Sequence, residues 1–243
     1  MDSAHISALL NPFLSTPLNS DQLQQISIYI DLLLRWNARM NLTAIRNPDE
    51  IVTRHFGESF FLARHLLPPS GDDAAANHPP AELGVKEHPR EHSQEDKTNL
   101  AKRPAMASGP AVDLGSGAGF PGIPLKIWSP GTRVTLIEAN HKKVAFLRDV
   151  IRALTLTVID VFSGRAEDYP AAGAGLVTLR AVERFTSVLP TGAELLAPEG
   201  RLALLVGRSQ VDQAESTLPS FHWSTPIPVP ESTARALLIG RRT

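Results

Sequence analysis

Residues 112–125 read VDLGSGAGFPGIPL, and the fold turns on that stretch. A short apolar run, 111–114, carries an acid at Asp113 and gives way to a turn holding Gly115, Gly117, Gly119 and Gly122. Glycines let the chain turn through left-handed backbone and approach a ligand closely; a turn between strand and helix also aims the helix N-terminus at that ligand. The helix follows at 121–128. Beyond it the pattern alternates: strand at 133–138, helix at 141–154, strand at 157–162, then strands at 176–179 and at 201–206 after the turn Pro198, Glu199, Gly200. Such alternation predicts an α/β fold, a Rossmann-like and mostly parallel sheet with flanking helices. Pro226, Pro228 and Pro230, ahead of a last apolar run at 235–240, predict a C-terminal hairpin on the sheet edge, where proline is tolerated.

Gly117, Gly119 and Gly122 also satisfy the GxGxxG spacing of dinucleotide sites. Two features favour a different nucleoside, the cofactor of a methyltransferase: Asp113 just before the first glycine, and the long stretch preceding the strand. A carboxylate there suits the cationic amino-acid end of S-adenosylmethionine and repels a pyrophosphate. Glu138 closes the second strand, near the distance at which an acid reaches ribose hydroxyls in this architecture.

Outward from the loop, the N-terminal 67 residues predict helices. Leu23, Ile26, Ile30, Leu33 and Leu34 repeat at helical spacing over 21–37. Asn47, Pro48, Asp49 and Glu50 read as N-cap, first-position proline, first-turn acid and capping-box glutamate of a second helix, with an apolar face of Val52, Phe56, Phe60, Ala63 and Leu67. Residues 68–110 are rich in proline, alanine, histidine and charge and too poor in large apolar side chains to offset the entropy of ordering. Three parts are therefore expected: a helical segment at 1–67, a flexible insertion or linker at 68–110, and a cofactor-binding domain at 111–243.

Composition prunes the chemistry. There is no cysteine, which excludes disulfides, thiolate metal sites and cysteine nucleophiles together. The eight histidines have no metal-ligand spacing, so no metal is expected. With 24 Lys and Arg against 25 Asp and Glu the net charge is -1, and composition lends no support to nucleic-acid binding. No basic leader opens the chain and no apolar run is long enough to span a membrane, so a cytoplasmic protein without a membrane partner is expected, acting as a monomer.

The chain resembles the bacterial RsmG (GidB) methyltransferases, which make N7-methylguanosine in 16S, small-subunit, ribosomal RNA. The resemblance rests on WNARMNLTAIRNPDEIVTRHF at 36–56, VDLGSGAGFPGIPL at 112–125, KKVAFLRDV at 142–150, GRAED at 164–168, and Arg180 with Ala181 after the fourth strand. It implies S-adenosyl-L-methionine as cofactor and small-subunit ribosomal RNA, free or in the assembled subunit, as partner. It further implies that Gly115 and Phe120 contact the cofactor, that Ala166 and Glu167 flank its adenine, and that Arg180 sits beside the transfer site as the catalytic residue. Arg54 and His55 match the family's RH pair and, with Lys142 and Arg165, are candidates for binding RNA. Three positions depart from the family: Glu58 stands where Asp is usual, Leu179 where Ser is usual, and Val206 where Lys is usual. The last two would remove polar groups from near the expected site.

The missing cysteine excludes carbon-5 methylation of pyrimidines by covalent addition of a thiolate. The enzymes of exocyclic amines commonly share a proline-proline-aromatic motif, whereas Pro68–Pro69 and Pro79–Pro80 are followed by Ser70 and Ala81. Guanine N7 carries a lone pair and no proton, so positioning and electrostatics suffice there. Two other classes fit the same residues: a small-molecule methyltransferase with the N-terminal helices as a lid, and a non-catalytic nucleotide sensor or assembly factor.

Overall fold

In a computed structural model of the chain, the described residues are 1–70, 107, 109–170, 172–180 and 184–242. Most of the expected insertion at 68–110 lies outside them. Its ends meet: the Ala107 N–H donates to the Leu66 carbonyl at 2.8 Å.

The N-terminal part is helical, in α1 (Ser3–Leu10), α2 (Ser20–Asn37), and α3 (Pro48–Glu50), which runs on through a π-helical stretch (Ile51–Gly57) into α4 (Glu58–Leu66). Asn19 caps α2 in a reciprocal capping box with Gln22. Asn47 caps α3 as its sequence predicts, its side chain accepting from the Asp49 and Glu50 N–H groups. The widened turn was not legible. It lets Gly57 lie flat on the Phe13 ring, where a Cβ would stand only 2.7 Å from Cδ2, and it buries both His55 and Glu58.

The alternating part follows as β1 (Ala111–Leu114), α5 (Gly122–Trp128), β2 (Val134–Glu138), α6 (His141–Ala153), β3 (Ile159–Ser163), β4 (Ala174–Arg180), α7 (Phe185–Glu194), β5 (Leu196–Gly207), α8 (Arg208–Thr217), β6 (Phe221–Trp223), β7 (Ile227–Pro228) and β8 (Arg235–Arg242). The strands form one sheet in the order β3-β2-β1-β4-β5-β8-β6, with β7 on β8. The pairs from β3 through β5 are parallel. β8 alone runs against its neighbours. The mostly parallel α/β class is thus as expected, but the C-terminal hairpin differs in one respect. β8 lies inside the sheet, on β5, and the proline-bearing β7 takes the edge because Pro228 has no N–H to donate.

The chain leaves β1 for β2 and β3, then returns to lay β4 on the other side of β1. This reversal opens a crevice at the carboxyl ends of the strands, the place where open α/β sheets bind ligands. One face of the sheet packs against α5, α6 and the N-terminal helices in a single apolar core containing Ile26, Ile30, Phe56, Phe60, Ile123 and Leu147. The other face packs against α7 and α8 through Val177, Leu179, Leu189 and Val206. Neither α7, with Pro190 inside it, nor the polar α8 stands out as a helix in the sequence.

Candidate active site

The crevice is an open cleft of about 590 Å³ lined by Gly115, Glu138, Asn140, Lys143, Arg165 and Glu167, among others. Gly115, Gly117 and Gly119 hold φ of 69°, 58° and 86°, left-handed backbone that favours glycine. Glu138 ties this turn to β2: its Oε2 accepts the Gly117 N–H at 2.9 Å and its Oε1 accepts the Asn140 N–H at 2.8 Å. Each oxygen keeps a second acceptor site, so a rigid carboxylate stands ready for hydroxyl donors at the cleft wall. Ala166 and Glu167 form the opposite rim from a short 3₁₀ turn, Ala166–Asp168, with Arg165 beside them.

Asp113, Phe120 and Arg180, expected at the ligand, stand behind this wall. Asp113 is 1% exposed and holds the loop from beneath, accepting from Thr178 Oγ1 at 2.8 Å and from the Gly122 N–H at 3.1 Å. Burial outweighs those hydrogen bonds and raises its carboxyl to about 6. Thr178 meets Asp113 because β1 and β4 pair in that register. Phe120 lies in an aromatic stack between Tyr29, at 5.2 Å, and His55, at 4.7 Å. Tyr29 comes from α2 and donates to the Ala118 carbonyl, so an N-terminal helix clamps the glycine loop. No motif in the sequence marked Tyr29 for that work.

Arg180 ends β4 and turns toward the π-helical stretch. Its Nη2 donates to the Arg54 carbonyl at 2.6 Å and to His55 Nδ1 at 3.0 Å, and lies 3.2 Å from Glu58 Oε2. Arg235 of β8 reaches the same Glu58 oxygen at 3.1 Å. Since Arg180 can only donate, His55 Nδ1 is the acceptor, and its Nε2–H donates to Thr43 Oγ1 at 2.8 Å. Desolvation first, then the charges of Arg180, Arg54 and Arg235, lower His55 to about 3 and keep it neutral. Burial also lowers Arg180, to about 10, against the favourable charge of Glu58.

A family model described as GidB, rRNA small subunit methyltransferase G, matches residues 22–70 and 99–229. The chain belongs to the GidB family. "Ribosomal RNA small subunit methyltransferase G" of Xanthomonas campestris pv. campestris (strain B100) is 35% identical over 83% of this chain and 76% of its own length. The protein of the same name from Xylella fastidiosa (strain 9a5c) is 32% identical over 87% of this chain and 82% of its own length. Among solved structures, the ribosomal protein L11 methylase of Lactobacillus delbrueckii subsp. bulgaricus has 16% identity and a TM-score of 0.49 over 57% of this chain and 73% of that one.

As a GidB family member the chain uses S-adenosylmethionine, and the cleft fits it: left-handed glycine backbone at Gly115, a rigid carboxylate at Glu138 and the small Ala166 on the rim. The other candidates divide. Arg165 reaches the cleft, Arg54 lines a neighbouring polar cavity with Glu58 and Arg235, and Lys142 faces a groove on the far side of α6. Lys143, Arg184 and Ser187 line the cleft although sequence reasoning passed over them. Lys143 follows Lys142 in the chain, and only the phase of α6 decides which lysine meets which cavity.

The departures from the family read differently in three dimensions. Leu179 and Val206 point away from the site into the core beneath α7 and α8, each nearly inaccessible, so neither leaves a gap at the cleft. Glu58 carries the polar burden, as the acid between two arginines. The geometry also speaks against the lid reading, for among the described residues those lining the cleft all come from 114 onward and none from α1 to α4.

Proposed function

We propose that this protein transfers a methyl group from S-adenosylmethionine to N7 of one guanosine in small-subunit ribosomal RNA, acting as a cytoplasmic monomer. One observation supports the choice of atom: the two titratable groups buried behind the glycine loop whose pKa values lie below neutrality, His55 and Asp113, are already committed. His55 has given its Nδ1 lone pair to Arg180, and Asp113 is sealed under the loop by Thr178 and Gly122. Neither group is free to take a proton from the target. Guanine N7 loses none.

When bound, the cofactor supplies an electrophilic methyl group. The chain's own residues then have three tasks. Gly115, Glu138, Ala166 and Glu167 hold the nucleoside, with Glu138 kept rigid by its two backbone hydrogen bonds. Arg54 and Arg165 draw in RNA phosphate. Arg180 acts from behind the loop, holding Arg54 and His55 in place, with its charge balanced by Glu58 so that it does not oppose the positive charge that develops on N7.

The test is to incubate unmodified small-subunit RNA, free and in assembled subunits, with enzyme and cofactor, and to map N7-methylguanosine by borohydride and aniline cleavage. The rate of the chemical step should be flat from about pH 7 to 9, because His55 titrates at about 3, Asp113 at about 6 and Arg180 at about 10. Methylation at another atom, or a rate that follows one ionisation across that range, overturns the proposal.

A further inference from the structure

A second cavity, larger than the cleft at about 690 Å³, lies between the C-terminal end of α2 and the first turns of α6. Among the described residues it shares no lining residue with the cleft: Lys142 faces this groove, whereas Asn140 and Lys143 face the cleft. The groove combines three exposed cations, Arg35, Arg39 and Lys142, with an apolar floor of Trp36 and Met40. Its acid, Asp149, is engaged, accepting from Trp36 Nε1 at 3.0 Å and pairing with Arg152 at 2.5 Å. Those bonds and an edge contact with Phe146 at 5.7 Å hold the indole in place.

We propose that this groove binds a single-stranded stretch of the substrate RNA flanking the target nucleotide. Phosphates would lie on Arg35, Arg39 and Lys142, and a base would stack on Trp36. The inference rests on the RNA-methyltransferase reading for its occupant, and on the groove's chemistry for the mode. Fixed aromatic surface beside cations is what a flexible RNA strand requires, since every base has a face to stack and every nucleotide a charge to neutralise. A chain of net charge -1 gathers positive charge here, and the first turn of α6 gives Lys142 to the groove and Lys143 to the cleft, so one strand of RNA passing over α6 would meet both.

Filter binding of unmodified small-subunit ribosomal RNA over a salt series tests it. The exposed double substitution Arg35→Glu/Arg39→Glu should weaken RNA binding about 10-fold or more near 0.1 M salt and lower the slope of log K against log salt by roughly 1.4, the value for two lost contacts to a single strand. In the transfer assay the loss should appear in KM for RNA rather than in kcat, and the Tm shift given by S-adenosylmethionine should persist. RNA should quench tryptophan emission in the wild type and lose most of that quench in Trp36→Phe. An unchanged affinity and salt slope in the double variant overturns the groove, as does displacement of RNA by polyglutamate at equal charge concentration. Groove-dependent RNA binding without methyl transfer overturns the functional reading and leaves the groove standing.

Discussion

The cofactor cleft and the Arg180 cluster lie on either side of the glycine loop, and they are built in opposite ways. The cleft is assembled at successive strand ends: the loop after β1, Glu138 at the end of β2, the turn after β3 and, after β4, the start of α7. Its polar bonds join backbone N–H groups to one carboxylate, and it stays open. The cluster draws Thr43, His55, Glu58, Arg180 and Arg235 from across the chain, and its charged groups pair with one another largely out of solvent. A site built from local backbone tolerates side-chain change, whereas one built from mostly buried charges depends on every partner. Removing one member of a buried ion pair leaves the other charge uncompensated.

The joint between the two regions is the place to break the comparison hardest. At Gly119, φ is 86° and a Cβ would stand 2.4 Å from Tyr29 Oη, against the ring that clamps the loop. Gly119→Val should therefore cost about 3 to 6 kcal/mol, strain and overpacking together, and abolish the Tm shift given by S-adenosylmethionine. Gly117→Ala, with φ at 58° and its nearest neighbour 3.7 Å away, should cost only about 1 to 2 kcal/mol. Equal losses measured by denaturant unfolding would mean that the loop is not clamped at Tyr29.

A smaller effect is expected in the cluster itself. Arg180→Ala leaves Glu58 buried with Arg235 as its ion-pair partner, a loss of about 3 kcal/mol, yet the cofactor-induced Tm shift should survive because Arg180 does not line the cleft. Methyl transfer should fall by more than cofactor affinity does. His55 should titrate at higher pH in this variant, since the Arg180 charge is the second-largest cause of its depression. A His55 titration by NMR that does not move would separate the two residues.

The smallest effect is read from pH. Asp113 is held at about 6 against an ordinary 3.8, so the folded state keeps a proton that the unfolded chain has released. The stability this group contributes is complete below its unfolded pKa and is lost as pH rises through 6. His55, at about 3 against 6.5, works the other way: its contribution is complete above 6.5 and is lost as pH falls toward 3. Between roughly pH 4 and 6 the two slopes oppose each other. Asp113→Asn removes one of them, so the variant should lose about 2 to 3 kcal/mol relative to the wild type on going from pH 7 to 4. Parallel pH curves for the two proteins would show that Asp113 titrates normally.

Much of the cleft was legible because its residues sit at strand ends and turns, where side-chain type and spacing report position directly. Glu138 ends a strand, and Gly115, Ala166 and Glu167 follow theirs within a few residues. The cluster was legible only in part. Arg54, His55 and Arg180 were singled out through resemblance, but their mutual contact, the tautomer of His55 and the partnership of Glu58 with Arg235 depend on pairings more than a hundred residues apart in the chain. Leu179 and Val206 were placed near the site for a related reason: a strand residue's face follows from its register, and a one-residue difference sends a side chain to the opposite side of the sheet.

By itself, then, the sequence determined the long N-terminal helix and the alternating strands and helices from β1 through β5 apart from α7, with their order. Short apolar runs, helical spacing, capping residues and glycine turns are local signals, and they settle an α/β chain with a ligand turn after the first strand. What only the tertiary structure decided is which of the named side chains face open space. Asp113, Phe120 and Arg180 hold the loop from behind, and Lys142 and Lys143 divide between two cavities. The reason is physical: burial and charge pairing depend on what packs from the far side, and here that is α2 and the π-helical stretch of the N-terminal part.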